Sequence, residues 1–204
     1  NHNSVFSNYL ENWAFDFRLP APTYGRCKGV KWGGAQCSAV ENCQFRFASD
    51  YGLEVGASTT RSRLQDLTFA WSPTGLYLNR CAEAISGGNM SFLRSSNAIK
   101  TTNCIGGIHL RGIATEHVST ILTMEGRTVD FSLTGLNIAL TRNAPIFDLS
   151  GLNNGTWDMG IRISGSIRKT PSGGGDTYWI NRNGEKVKLT GPQSQNGMPF
   201  SIQQ

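Results

Sequence analysis

Two clusters of residues in this sequence combine side chains that could act together on a ligand. Trp32 lies beside Arg26, Lys28 and Lys31, and Tyr178 and Trp179 lie near Arg168, Lys169 and Arg182. Aromatic faces stack on the C–H patches of a sugar while cations and amides satisfy its hydroxyls, which is how a non-catalytic carbohydrate site is built. Both clusters are therefore candidate ligand-binding residues, expected on loops where backbone groups can approach a ligand. The competing reading makes the rings core aromatics and the cations their solvated rim.

Chemistry of other kinds finds few parts. The sequence has no Gly-x-Ser-x-Gly elbow, no phosphate-cradling Gly-x-x-x-x-Gly-Lys and no His-Glu-x-x-His. Of the histidines, His109 alternates with the apolar Ile108 and Leu110, and His117 follows Glu116 in a turn, so all three, His2 included, read as structural or solvated. Asp148 and Asp158 flank one turn and are the nearest approach to a glycosidase pair, but each reads better as a strand-face position. The expectation is a protein that is not an enzyme and that takes no cofactor and no metal.

Five cysteines, at 27, 37, 43, 81 and 104, lack any Cys-x-x-Cys spacing, which argues against zinc ribbons and thioredoxin-like chemistry. An oxidising compartment with one or two bridges is expected. Cys81 with Cys104 is the first candidate, worth ~3 kcal/mol by loop-closure entropy. Two of Cys27, Cys37 and Cys43 can also pair, and five reduced buried thiols are the alternative.

Charge and composition narrow the partners. The net charge of +5 allows an acidic partner, but the basic residues form no run of five, so a nucleic-acid arm is not expected. No apolar stretch approaches the ~20 residues of a membrane span. Charged residues make up only 16% of the chain against ~25% in ordinary domains, and 24 glycines accompany them. That balance disfavours helical bundles and favours a turn-rich β protein.

Alternating apolar residues mark the strands that must position these groups: Trp13 to Leu19, Phe45 and Phe47, Leu53 and Val55, Leu76 and Leu78, Ile108 and Leu110, Val118 to Leu122, Val129 to Leu133, and Leu136 to Leu140. Thr23 to Cys43 reads as a long loop. Leu64, Leu67 and Trp71 fall at helical spacing, so Thr60 to Trp71 is expected as a short helix behind caps at 58–60. Residues 171–175 read as a hairpin tip. No exact repeat of 20–50 residues emerges, although Gly106 to Ile113 would pass for a rung of an imperfect β-helix. A receptor-binding domain over 1–190 and a tail or linker over 191–204 are expected.

The run Leu136-Asn137-Ile138-Ala139-Leu140, the turn through Pro145, Ile146-Phe147-Asp148-Leu149, Gly155-Thr156-Trp157 and the alternating Met159, Ile161 and Ile163 together resemble the closing strands of the receptor-binding domain of chaperone–usher pilus tip adhesins. The resemblance covers about a sixth of the chain. It implies an all-β, elongated immunoglobulin-like sandwich or jelly-roll with at most one or two short helices, exported through the periplasm to a pilus tip. A host glycan or glycoprotein would be its receptor, and pilus subunits would join it through a further C-terminal domain. Two other classes fit the same residues: a phage tail spike or fibre fragment built as a β-helix, and a secreted carbohydrate-active enzyme.

Overall fold

The computed structural model describes residues 8–18, 27–33, 37–56, 61–140, 145–152, 161–169, 178–182, 185–189 and 198–203. Its strands in chain order are β1 (Tyr9–Glu11), β2 (Ala14–Asp16), β3 (Val30–Trp32), β4 (Ala39–Glu41), β5 (Gln44–Arg46), β6 (Tyr51–Val55), β7 (Ser62–Gln65), β8 (Thr68–Ala70), β9 (Thr74–Asn79) and β10 (Ile85–Leu93). They continue with β11 (Asn97–Cys104), β12 (Ile108–Glu116), β13 (Thr120–Thr128), β14 (Phe131–Leu140), β15 (Pro145–Leu152), β16 (Arg162–Lys169), β17 (Tyr178–Arg182), β18 (Glu185–Leu189) and β19 (Met198–Gln203). Among the described residues there is no helix.

The strands pair in parallel, turn on turn, into a β-solenoid of about five turns. This overturns the immunoglobulin-like sandwich and jelly-roll expectation. Sheet A runs β1-β4-β7-β10-β12-β14-β16-β19, with β2, β5 and β8 continuing it alongside, and sheet B runs β18-β17-β15-β13-β11-β9-β6-β3. Only the last partners, β16 with β19 and β17 with β18, are antiparallel. Alternation of apolar and polar residues is common to a sandwich strand and a solenoid strand, and only the pairing separates them. The stretch that resembled adhesin strands is divided between the sheets: β14 and β16 belong to sheet A, β15 to sheet B. Gly155, Thr156 and Trp157 lie outside the described residues.

The pairing register reveals a repeat of 23 residues. Ser62, Ile85, Ile108 and Phe131 stack through β7, β10, β12 and β14, and Thr74, Asn97 and Thr120 stack through β9, β11 and β13. Longer steps, such as Tyr9 to Ala39, absorb insertions in the loops. Three columns of residues with positive φ turn the chain. Asn12, Asn42, Asp66, Asn89, Gly112 and Gly135 crease sheet A, Phe47, Trp71, Arg94 and His117 form the corner leading to sheet B, and Arg80, Asn103 and Gly126 close sheet B. Asn, Asp and Gly are the residues that adopt this conformation at least cost. The amide of one column member reaches the next turn, as in Asn42 N to Gln65 O at 3.0 Å and Asp66 N to Gly88 O at 3.0 Å. The Asn42 side chain also donates to Asn12 Oδ1 at 2.6 Å.

The expected helix over Thr60 to Trp71 is absent. Its residues form β7 and β8 on either side of the crease at Asp66, and Leu64 and Leu67 share the core because the crease shifts the alternation by one. The expected loop over Thr23 to Cys43 contains β3 and β4. Within the expected tail 191–204, Met198–Gln203 forms β19 on sheet A.

Inward residues stack in columns to make one core. Phe15, Phe45, Phe69 and Phe92 lie face to face with centroids 5.3, 5.2 and 4.8 Å apart. Sheet B gives them room with glycine: a Cβ on Gly52 would lie 2.8 Å from the Phe69 ring, and one on Gly75 2.4 Å from that of Phe92. One turn further, glycine becomes Ala98 and phenylalanine becomes Thr115, so small and large residues change together across the core.

Candidate functional site

The outer face of sheet A carries a groove of about 370 Å³ lined by Arg63, Gln65, Ser86, Gly87, His109, Leu110, Arg111, Ser132 and Thr134. Two outward columns of the solenoid build it. Arg63, Ser86, His109 and Ser132 stack through β7, β10, β12 and β14, and Gln65, Gly88, Arg111 and Thr134 stack beside them. Small residues at Ser86 and Gly88 leave a depression in β10 that longer side chains border on both sides.

Glycine is required in that floor. A Cβ on Gly87 would fall 1.7 Å from the Leu64 carbonyl oxygen, and one on Gly88 would fall 2.6 Å from the Arg111 carbonyl oxygen and 2.8 Å from its Cγ. The Arg111 stem therefore passes close over a bare stretch of backbone. The charges around it differ in their partners. Arg63 is paired with Glu41. His109 Nε2 lies 3.3 Å from Asp130 Oδ2. Arg111 is exposed and has no acidic partner among the described residues.

The groove is equipped to hold polar groups. Its serines and threonine donate and accept, Gln65 does both, and the guanidiniums donate in planar forks. Among the described residues no group of three His, Cys, Asp or Glu side chains that could hold a metal ion occurs.

The outer face of sheet B is occupied by its own network. Lys31 pairs with Glu54 at 3.4 Å, Asn79 donates to Glu54 at 2.9 Å, Lys100 pairs with Glu125 at 2.8 Å, and Thr102 donates to Glu125 at 3.3 Å. Burial pushes the Tyr51 hydroxyl up to about 12, helped by its hydrogen bond to Glu54. Burial raises the Glu54 pKa, but hydrogen bonds from Asn79 and Tyr51 and the charge of Lys31 outweigh it and hold this carboxyl below its usual range. At the corner, Phe47 stacks on Trp71 at 4.7 Å, with Arg18 over Phe47 at 4.5 Å and Arg94 over Trp71 at 5.9 Å.

The expected site residues are dispersed. Arg26 lies outside the described residues. Lys28 precedes β3, Lys31 is bound to Glu54, and Trp32 packs against the core. Arg168 and Lys169 are on β16 of sheet A, whereas Tyr178, Trp179 and Arg182 are on β17 of sheet B. Asp148 accepts from the Ser150 amide and hydroxyl at 3.2 and 2.7 Å, and Asp158 lies outside the described residues.

Cys81 and Cys104 come together because the chain between them is one full turn of the solenoid. Both are buried free thiols. Their sulfurs also lie 3.5 and 3.3 Å from the carbonyl oxygens of Val55 and Leu78. Cys43 is buried and free, and Cys27 and Cys37 are exposed and free.

The groove residues Arg63, His109 and Arg111 were not singled out as a site from the sequence. The signal that could have found them is the 23-residue column joining Ser86, His109 and Ser132. No family model, curated protein or solved structure matches this chain significantly.

Proposed function

We propose that the protein is a receptor-binding segment of a fibre- or spike-like β-solenoid, of the kind carried by phage tails, that holds a glycan along the outer face of sheet A without cleaving it. The observation that supports this reading is the groove between Arg63 and Arg111, where the polar side chains of Arg63, Ser86, His109 and Ser132 repeat at the rung spacing of ~4.8 Å. One pyranose unit has about the length of one rung. An extended saccharide can therefore meet an equivalent polar position at each successive sugar. The pilus-adhesin reading implies a sandwich, whereas the strands pair as a solenoid, which favours the fibre alternative.

Binding of the purified protein to an array of bacterial surface polysaccharides and host glycans tests the proposal. Ser86→Trp fills the groove from an exposed outward position and leaves the core untouched. The parent should bind at least one glycan class, and the folded variant should lose at least tenfold in affinity. A parent that binds no glycan, or a folded variant that binds as well as the parent, contradicts the assignment.

A further inference from the structure

Building on the glycan reading of the sheet A groove, we infer that the site selects an acidic saccharide, with a carboxylate or sulfate seated on Arg111. The argument starts from the charges that border the groove. Two of its basic residues already face carboxylates, Arg63 toward Glu41 and His109 toward Asp130 at 3.3 Å. Arg111 has no such partner among the described residues, and its side chain borders a depression rather than a flat strand.

Its surroundings favour an anion over a neutral hydroxyl. Gly88 lets the Arg111 stem run close to the backbone, since a Cβ there would meet Arg111 Cγ at 2.8 Å. The stem lies against the Gly88 backbone, which places the guanidinium at the edge of the groove. Ser132 and Thr134 on the next rung and Ser86 on the previous one supply hydroxyl donors around the same space. A planar anionic group accepts two parallel hydrogen bonds from a guanidinium, and such charge-assisted bonds are roughly twice as strong as neutral ones. Glu41 and Asp130, the acidic groups at the rim, are engaged by Arg63 and His109, so they do not occupy Arg111.

The test uses uronic, sialic and sulfated oligosaccharides beside their carboxyl-reduced or desulfated counterparts. It compares the parent with Arg111→Gln and with Arg127→Gln, which removes an exposed charge near the end of β13 in sheet B. The parent should bind at least one acidic form about ten- to hundredfold more tightly than its neutral counterpart. Arg111→Gln should abolish that preference, the acidic form losing about ten- to hundredfold more affinity than the neutral form, while Arg127→Gln keeps the preference. Equal binding of acidic and neutral forms by the parent overturns the inference and leaves the glycan reading standing. An equal loss in both variants overturns it too, because the attraction is then diffuse charge. Binding of neither form defeats both.

Discussion

Replacing Gly75 by alanine inserts one methyl group where the core has no space for it. That Cβ would sit 2.4 and 2.6 Å from Cδ1 and Cε1 of Phe92 and 2.9 Å from the Ala98 carbonyl oxygen. Overpacking of this kind costs ~1–3 kcal/mol, offset in part by the ~0.4–1 kcal/mol that alanine contributes by restricting the unfolded chain. Phe92→Thr removes a buried ring stacked 4.8 Å from Phe69 and should cost about 3–5 kcal/mol, as large-to-small core changes do. Together the two changes reproduce the Ala98 and Thr115 pair that the chain uses one turn later.

In the double variant the ring that clashed with the new methyl is gone. Its cost should therefore fall below the sum of the single costs by ~1–3 kcal/mol. Urea unfolding followed by circular dichroism and by tryptophan fluorescence measures all four proteins, and coincident transitions license the comparison. Additivity within about 0.5 kcal/mol would falsify the claim that these positions are packed against each other.

The remaining predictions concern single groups. Thr115→Val should raise stability by ~1 kcal/mol in the same urea assay, because the Thr115 hydroxyl is buried without a hydrogen-bond partner and valine keeps its shape; a loss would refute this. Trp71→Ala should lower stability by about 1 kcal/mol through loss of its stack with Phe47 and its contact with Arg94, and Trp71→Gly should lower it less, because glycine relieves the positive φ; the reverse order would refute the strain argument. The raised Tyr51 pKa stabilises the fold fully below pH 10, where the phenol is protonated in both states, and that contribution is lost as pH rises toward about 12. In Tyr51→Phe this alkaline loss should be smaller, and an unchanged pH profile of unfolding would refute it.

The strands were legible in the sequence because burying one face imposes a period of two. Ile108 and Leu110 or Leu76 and Leu78 announce β12 and β9 whatever the sheet around them. Parallel pairing was not legible, since it depends on which turn lies next to which. The repeat that determines it is carried by residue type and not by identity. Asn42, Asp66, Asn89, Gly112 and Gly135 share only a tolerance of positive φ, and Phe92 gives way to Thr115 in the same column. A search for identical residues passes over both. The helix expected at Thr60 to Trp71 arose from the same feature, because the crease at Asp66 breaks the alternation and leaves Leu64 and Leu67 three apart on one side. The groove was hidden for a related reason. Arg63, Ser86, His109 and Ser132 are neighbours only once the 23-residue step is known, whereas the expected clusters were gathered by nearness along the chain.

The corner column shows how two bulky rings can be held at positive φ. Phe47 and Trp71 adopt φ of 60° and 54°, a conformation that costs a bulky residue ~1–2 kcal/mol. The crease column meets the same demand with Asn, Asp and Gly, so the corner departs from the cheaper solution. What offsets the strain is stacking: the rings lie 4.7 Å apart, and Arg18 and Arg94 cover the outer faces. An aromatic pair contributes ~0.5–1.5 kcal/mol and each cation–π contact ~0.5–1 kcal/mol, which is of the order of the strain. Both faces of both rings are then occupied within the protein, and a sugar meets only their edges. On the described part of sheet B, Glu54 and Glu125 engage Lys31 and Lys100. An open polar surface among the described residues is the sheet A groove, where Gly88 carries no side chain over the floor and Arg111 stands beside that space.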